Sequence, residues 1–394
     1  MTRTPPPPTA DDPARHWQTP LNRLGTAATK WEKFGPDVLP FWIADMELPT
    51  PDAILNGIGE RLEHPLLGYT NVPAPLIEAF TNWAQRLFGW SIDPDWLVWI
   101  PGVVPGLNVA AQSIAQANDP VFVMPPVYYP FLDVAANANA RSVTVPLQAP
   151  DWRLDSRALA AAAQANACKQ PRPRAMLLCN PQNPTGRAYD HAELNALAQT
   201  CADHDLIICS DEIHCDLLVS PSARHIPIAS LDADTAQRTI TLMAPTKTYN
   251  MPGLGCAVAV IPNPVLRNAF RDSRRGVLAS PSVLAYAAAT AAYEQDGRWI
   301  EALREHLRAN YAALAAVAGA RLTRLEATYL GWIAVPELAQ ADAQAHFLKF
   351  GLGLSDGRDF GGPGYVRFNF ACARPLLDAG LARLQEGLRA LPQG

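Results

Sequence analysis

The chain has 394 residues, longer than one ordinary domain, which favours a large domain with a smaller partner. Apolar residues make up 49% and charged residues 18%, the balance of a folded globular protein, and no apolar run approaches membrane-spanning length. A net charge of -5, with acids and bases interspersed, offers no basic stripe for nucleic acid and leaves small-molecule chemistry as the expectation.

Residues 1–20, with Pro5 to Pro8 in a row, are Pro-rich and polar and read as a mobile arm. No apolar stretch there could form the core of a secretory signal, so a cytoplasmic protein is expected, with folding proper from near Leu21. Seven cysteines form no close pair with zinc-finger spacing, and several sit inside apolar runs. They read as buried free thiols.

From about residue 96 to 262, short apolar runs alternate with helical patterns. The runs are Pro120–Met124, Arg174–Cys179, Leu206–Ser210, Thr239–Met243 and Cys256–Ile261. Each reads as a strand buried on both faces, and helix candidates such as His191–Asp203 lie between them. That alternation predicts a largely parallel sheet covered by helices. After about residue 282 the sequence becomes Ala-rich and helical, through Leu284–Tyr293 and Trp299–Ala318. A C-terminal lobe follows, with strands predicted over Gly331–Val335 and Gly364–Phe370 and a closing helix over Leu377–Leu391.

Ligands of open α/β sheets bind beyond the carboxyl ends of the strands. Polar clusters follow four of the predicted strands here: Pro125–Tyr129, Asn180–Gly186, Ser210–His214 and Ala244–Asn250. Their order, spacing and content resemble the fold-type I aminotransferase superfamily. Within it, the text is most similar to the PatB/MalY-type cystathionine β-lyases, through Arg23–Thr26, Lys30 and Trp31, Pro40–Met46, Gly68–Thr70, Ser210–Asp216 and Val366–Asn369. The resemblance covers nearly the whole chain from Asn22.

What it implies is a fold-type I α/β transferase: a large domain with a mostly parallel sheet flanked by helices, and a smaller α+β C-terminal domain. The expected boundaries are an N-terminal segment over 21–55 packing on the small domain and active site, the large domain over 56–282 and the small domain over 283–394. The implied cofactor is pyridoxal 5'-phosphate (PLP), an electron sink that needs a lysine for its Schiff base and an acid beside its ring nitrogen. Lys247 takes the first role and Asp211 the second. Asn183 and His214 are expected at the phenolic oxygen. Tyr128 is expected to stack on the ring, although Tyr129 is an alternative. The amides of Val103 and Val104, at a turn leading into an apolar helix, are the candidates for the phosphate, with Thr246 as a further hydroxyl.

Arg367 resembles the residue that grips the substrate α-carboxylate, a task that suits a planar guanidinium. Asp45 lies in a segment that closes over the substrate in the family. Tyr69 resembles a tyrosine that reaches the phosphate in the neighbouring subunit, which implies a homodimer with shared sites. Two positions depart from the aminotransferase pattern: Gly255 stands where many members carry an arginine, and Ala244 where serine is frequent. Asp211, Glu212, His214, Cys215 and Asp216 are all metal-ligand types, but on a strand and turn they point in different directions, and no metal is expected. The implied activity is β-elimination from cystathionine or a related S-substituted cysteine. An aminotransferase uses the same residues and stands as the alternative, with a PLP-binding regulator behind it.

Overall fold

In a computed structural model, residues 17–167 and 174–392 are described. The large unit is built on a seven-stranded sheet. Its strands are β1 (Leu97–Ile100), β2 (Pro120–Val123), β3 (Arg141–Thr144), β4 (Arg174–Cys179), β5 (Leu206–Asp211), β6 (Thr239–Met243) and β7 (Ala257–Val260). They lie in the order β1-β7-β6-β5-β4-β2-β3. The five strands from β6 to β3 pair in parallel, and β7 runs antiparallel to β6 and β1. Every residue of β2, β4, β5, β6 and β7 is buried. That is why they stand out in the sequence as continuous apolar runs: helices cover both faces. Strand β3, at the edge, is polar and largely exposed, so it gives no such signal.

The helices that matter for the site are α1 (Asp52–Glu63), α2 (Val103–Ile114), α3 (His191–Asp203), α4 (Val283–Tyr293), α5 (Arg298–Ala318) and α6 (Arg374–Arg389). Helix α3 keeps the range expected of it because a reciprocal cap fixes its start: the Asp190 carboxylate accepts from the Glu193 amide at 2.8 Å, and the Glu193 carboxylate accepts from the Asp190 amide. Helix α6 begins three residues before its expected start. Pro375 lies in its first turn, where a missing N–H costs nothing.

The smaller unit holds a second sheet of β8 (Leu330–Ala334), β9 (Ser355–Asp356) and β10 (Tyr365–Asn369), in the order β9-β10-β8 and antiparallel throughout. Helices α5 and α6 pack on each other beside it. Leu39–Pro40 pairs in parallel with Leu352–Gly353, which ties the N-terminal segment to this smaller unit. No helix among the described residues is long and apolar enough to cross a membrane.

The expected arm is described only at its end. Residues 1–16 lie outside the described part, but Trp17 is buried, 1% exposed, with its ring edge-on to Trp299 at 5.6 Å and to His306 at 5.5 Å. Ordered packing therefore starts ahead of Leu21, because one large aromatic side chain buries enough surface to anchor a stretch of otherwise polar chain. Replacing Trp17 by alanine should cost about 3 kcal/mol of stability, read as an earlier midpoint in urea unfolding. An unchanged midpoint would detach Trp17 from the core.

Candidate active site

A cavity of about 560 Å³ opens between the carboxyl ends of the central strands and the small sheet. Asp211 ends β5, where its carboxylate enters the cavity wall and its Oδ1 accepts from the Ile213 amide at 3.0 Å. Burial pushes this carboxyl up to about 7, with the Ile213 N–H opposing, the neighbouring Glu212 adding and Lys247 opposing. Glu212 turns the other way, as strand alternation requires. It accepts from the Ser210 hydroxyl at 2.8 Å and pairs with His225 at 2.8 Å in the interior. Asp216 lies further along the turn and accepts from the Thr248 hydroxyl at 3.1 Å. The potential metal ligands of this run thus scatter to separate environments.

Lys247 also lines the cavity, and its Nζ donates to the carbonyl of Ala44 at 2.6 Å. Burial lowers the amine to about 8; Asp45 and Asp211 oppose that shift and Arg367 adds to it. An amine at that value is partly neutral at physiological pH and can accept a proton. His214 is buried with its Nδ1 unpartnered, and its ring lies edge-on to Tyr329 at 5.9 Å. Burial, helped by Lys247 and Arg367, brings the imidazole down to about 3, so it is neutral with one donor and one acceptor nitrogen.

Arg367 projects from the middle of β10, opposite Ser355 of β9 and Trp332 of β8. Its Nη1 donates to Asn183 Oδ1 at 2.9 Å and its Nη2 to the Trp42 carbonyl at 2.8 Å, while Nε is buried without a partner. The guanidinium lies 4.5 Å from the centroid of the Phe360 ring. It is thus fixed in position by the two sheets and the N-terminal segment, with donors left over for an anion. Tyr128 and Tyr129 also line the cavity, with rings edge to face at 4.8 Å, and the Tyr129 ring meets that of Phe360 edge-on at 6.0 Å; Tyr128 is half-buried and Tyr129 is 43% exposed.

At the cavity floor, α2 starts after Gly102, which supplies no side-chain cap. Val103 and Val104 therefore present first-turn amides without intrahelical partners, Pro105 has none to present, and the next amide, that of Gly106, bonds back to Gly102. Thr246 lies beside them in the wall. A Cβ on Gly255 would stand 2.4 Å from the Pro101 carbonyl oxygen, so no side chain fits there, let alone an arginine. An anion here is met by amides, the α2 dipole and a hydroxyl.

Two expected residues stand elsewhere. Tyr69 is fully exposed, outside the cavity of its own chain. Asp45 is also absent from the cavity wall, because Arg23 holds its carboxylate at 3.0 Å. The Asp45 main-chain carbonyl accepts from Lys30 Nζ at 2.7 Å, and Lys30 and Arg23 both pair with Glu47, at 3.2 and 3.0 Å. This network lies behind the segment that lines the cavity rather than in it. Trp42, Ser355 and Phe360 do line the cavity and were given no role from the sequence. Trp42 lies inside the Pro40–Met46 string, but Ser355 and Phe360 come from short irregular elements with no periodicity to reveal them.

Comparison with known proteins places this geometry in a family. Residues 44–384 match the aminotransferase class I and II family. Cystathionine beta-lyase PatB of Bacillus subtilis is 33% identical over 93% of this chain and 98% of its own length. The crystal structure of OvoB superposes with a TM-score of 0.89 at 39% identity, covering 96% of this chain and 99% of that one. That of the PLP-bound C-S lyase from Staphylococcus hominis gives 0.87 at 28% identity, covering 94% and 97%. The chain belongs to the class I and II aminotransferase family, on the branch that contains the cystathionine β-lyases.

Proposed function

We propose that the protein is a PLP-dependent carbon–sulfur β-lyase, cleaving cystathionine or a related S-substituted L-cysteine to a thiol, pyruvate and ammonia. The pairing of Lys247 and Asp211 in one cavity, a buried amine beside a buried carboxyl, supports a PLP enzyme, and the observation that favours β-elimination over transamination is the similarity to cystathionine beta-lyase PatB over nearly the whole chain. The residues suit PLP. Asp211, a buried carboxyl that forms no ion pair among the described residues, suits a protonated ring nitrogen, and the unpartnered Nδ1 of His214 suits a polar oxygen. Lys247 would hold the cofactor covalently, Asp211 its ring nitrogen, Asn183 and His214 its phenolic oxygen, and Tyr128 its ring face. The amides of Val103 and Val104 and the Thr246 hydroxyl would receive the phosphate. When bound, PLP withdraws electrons from the substrate Cα and so acidifies its proton.

The chain's own groups supply the rest. Arg367, anchored by Asn183 and the Trp42 carbonyl, binds the substrate carboxylate and orients Cα toward Lys247. Once the substrate amine has replaced it, the Lys247 amine takes the Cα proton. The Cβ–S bond breaks and its electron pair leaves with sulfur as a thiolate. The unsaturated amino acid released then hydrolyses to pyruvate and ammonia. No second keto acid enters the balance, which separates this reaction from transamination. The six described cysteines are free and buried, which suits a reducing compartment, and we place the enzyme in the cytoplasm.

Incubation with cystathionine should therefore yield pyruvate and thiol without 2-oxoglutarate. Lys247→Ala should abolish both pyruvate and the borohydride-reducible bond to PLP. Glutamate formed only with 2-oxoglutarate, and no thiol, would sink the lyase reading. Asp211→Asn should retain PLP, because the other contacts remain, while kcat falls about a hundredfold for want of an anion opposite the ring nitrogen; near-normal turnover would remove Asp211 from the reaction.

The exposure of Tyr69 supports a site completed in trans. A tyrosine with no packing in its own chain, preceded by exposed Leu62, Leu66 and Leu67, belongs to a surface that a second copy would cover. Mixing Tyr69→Phe with Lys247→Ala protomers should regain part of the activity, since one site of each hybrid carries neither change. Hybrids as inactive as both parents would place Tyr69 in its own subunit's chemistry or in none.

A further inference from the structure

The cavity carries a second set of charges where it opens to solvent. Lys33 and Asp359 both line it and both are exposed. Lys33 follows the short helix Thr29–Glu32, and its Nζ lies 4.0 Å from the centroid of the Trp42 ring and 5.2 Å from that of Phe34. Aromatic faces steady the ammonium group without consuming its protons. Asp359 sits in the tight turn Gly357–Phe360, one residue before the ring that lies against Arg367. Its carboxyl feels the charge of Lys33, and Arg367 feels the charge of Asp359.

Among the described residues neither side chain enters an ion pair, whereas the adjacent Arg358 is paired with Asp356 at 2.9 Å. The wall that carries Arg367 thus ends in one uncommitted cation and one uncommitted anion. Asp133, also exposed, lines the cavity too, from the helix Pro130–Asn137 that follows Tyr129.

We propose that Lys33 and Asp359 form the subsite for the sulfur substituent, Lys33 receiving a carboxylate and Asp359 an ammonium group. Preferred substrates are then S-substituted cysteines whose leaving thiol carries both charges, as a thiol that is itself an amino acid does. The subsite rests on the carbon–sulfur lyase reading above. It contributes to selection among thiols rather than to the chemistry at Cα, because both residues are exposed whereas Arg367 and Lys247 are buried deeper in the cavity.

The test compares kcat/KM of the PLP-loaded enzyme on S-ethyl-, S-carboxymethyl- and S-(2-aminoethyl)-L-cysteine and on cystathionine, by pyruvate release. Lys33→Ala should lower the value for S-carboxymethylcysteine and cystathionine about fivefold and spare S-ethylcysteine, the size of effect an exposed ion pair supports. Asp359→Asn should do the same for S-aminoethylcysteine and cystathionine. Lys33→Glu should reverse the order of the two singly charged substrates. Raising salt to about 0.5 M should shrink the wild-type preference, since exposed charges are screened.

Charged-to-ethyl ratios that stay within about twofold of wild type in both variants would overturn the subsite, that margin being smaller than an exposed ion pair gives at its upper range. Loss of the aminoethyl preference in Asp133→Asn instead of Asp359→Asn would overturn it as well. A wild-type enzyme that releases no pyruvate from any of the four would remove the lyase reading and the subsite with it, an outcome distinct from lysis without discrimination.

Discussion

The site depends on five residues of main chain, Trp42 to Met46, pinned between the two sheets. Their carbonyls reach both ways: that of Trp42 accepts from Arg367, those of Ile43 and Asp45 from Asn369, and that of Ala44 from Lys247. At the far end, Asn250 accepts from the Met46 amide at 3.1 Å and donates to the Met46 carbonyl at 3.0 Å, which ties the strap to the loop carrying Lys247. The spacing between the Arg367 guanidinium and the Lys247 amine is therefore set by one short, bent segment of main chain. Its position is held from behind by Lys30, Arg23 and Glu47. A fully buried lysine beside a buried glutamate is costly unless both are bonded, and these are: Lys30 Nζ meets the Asp45 carbonyl as well as Glu47. The Arg23-to-Thr26 and Lys30-Trp31 strings thus serve the site without entering it.

Burial does the electrostatic work in the same place. Asp211 and Lys247 face one cavity, yet each is displaced toward its neutral form mainly by loss of water. Were they in contact, mutual attraction would hold both charged. Instead Lys247 is bonded to a carbonyl and Asp211 to an amide, so the space between remains for a ring that can satisfy both. His214 follows the same logic, kept neutral first by burial and further by Lys247 and Arg367.

The sequence made the central sheet legible because its strands are buried on both faces and so read as unbroken apolar runs. The polar residues that close those runs, Asp211 after Ile207 and Ile208, and Lys247 after Met243, mark the sheet edge where a ligand binds. The same rule fails for edge strand β3, whose Arg141–Thr144 is polar. It fails also for the smaller unit's contribution: Ser355 and Phe360 reach the cavity from a two-residue strand and a single tight turn, too short for any period. Asp45 illustrates a further limit. Its place in the chain is informative but its direction is not, since the strap turns its carboxylate toward Arg23 while neighbours on either side face the cavity or the core.

Gly255 joins the phosphate end of the site to the shared-subunit reading. The backbone of Pro101 occupies the space a side chain would need, so the floor of the cavity has no arginine to neutralise a dianion. Two amides and a helix terminus supply roughly half an elementary charge. A phosphate held this way would be under-compensated within one chain, and a hydroxyl donor from a second copy would add a contact. Tyr69 carries such a donor and has no use for it at home. On the proposed reading, the space that Pro101 closes to a side chain at Gly255 and the hydroxyl that Tyr69 leaves exposed belong to one arrangement, in which retention of the cofactor would depend on association of two chains.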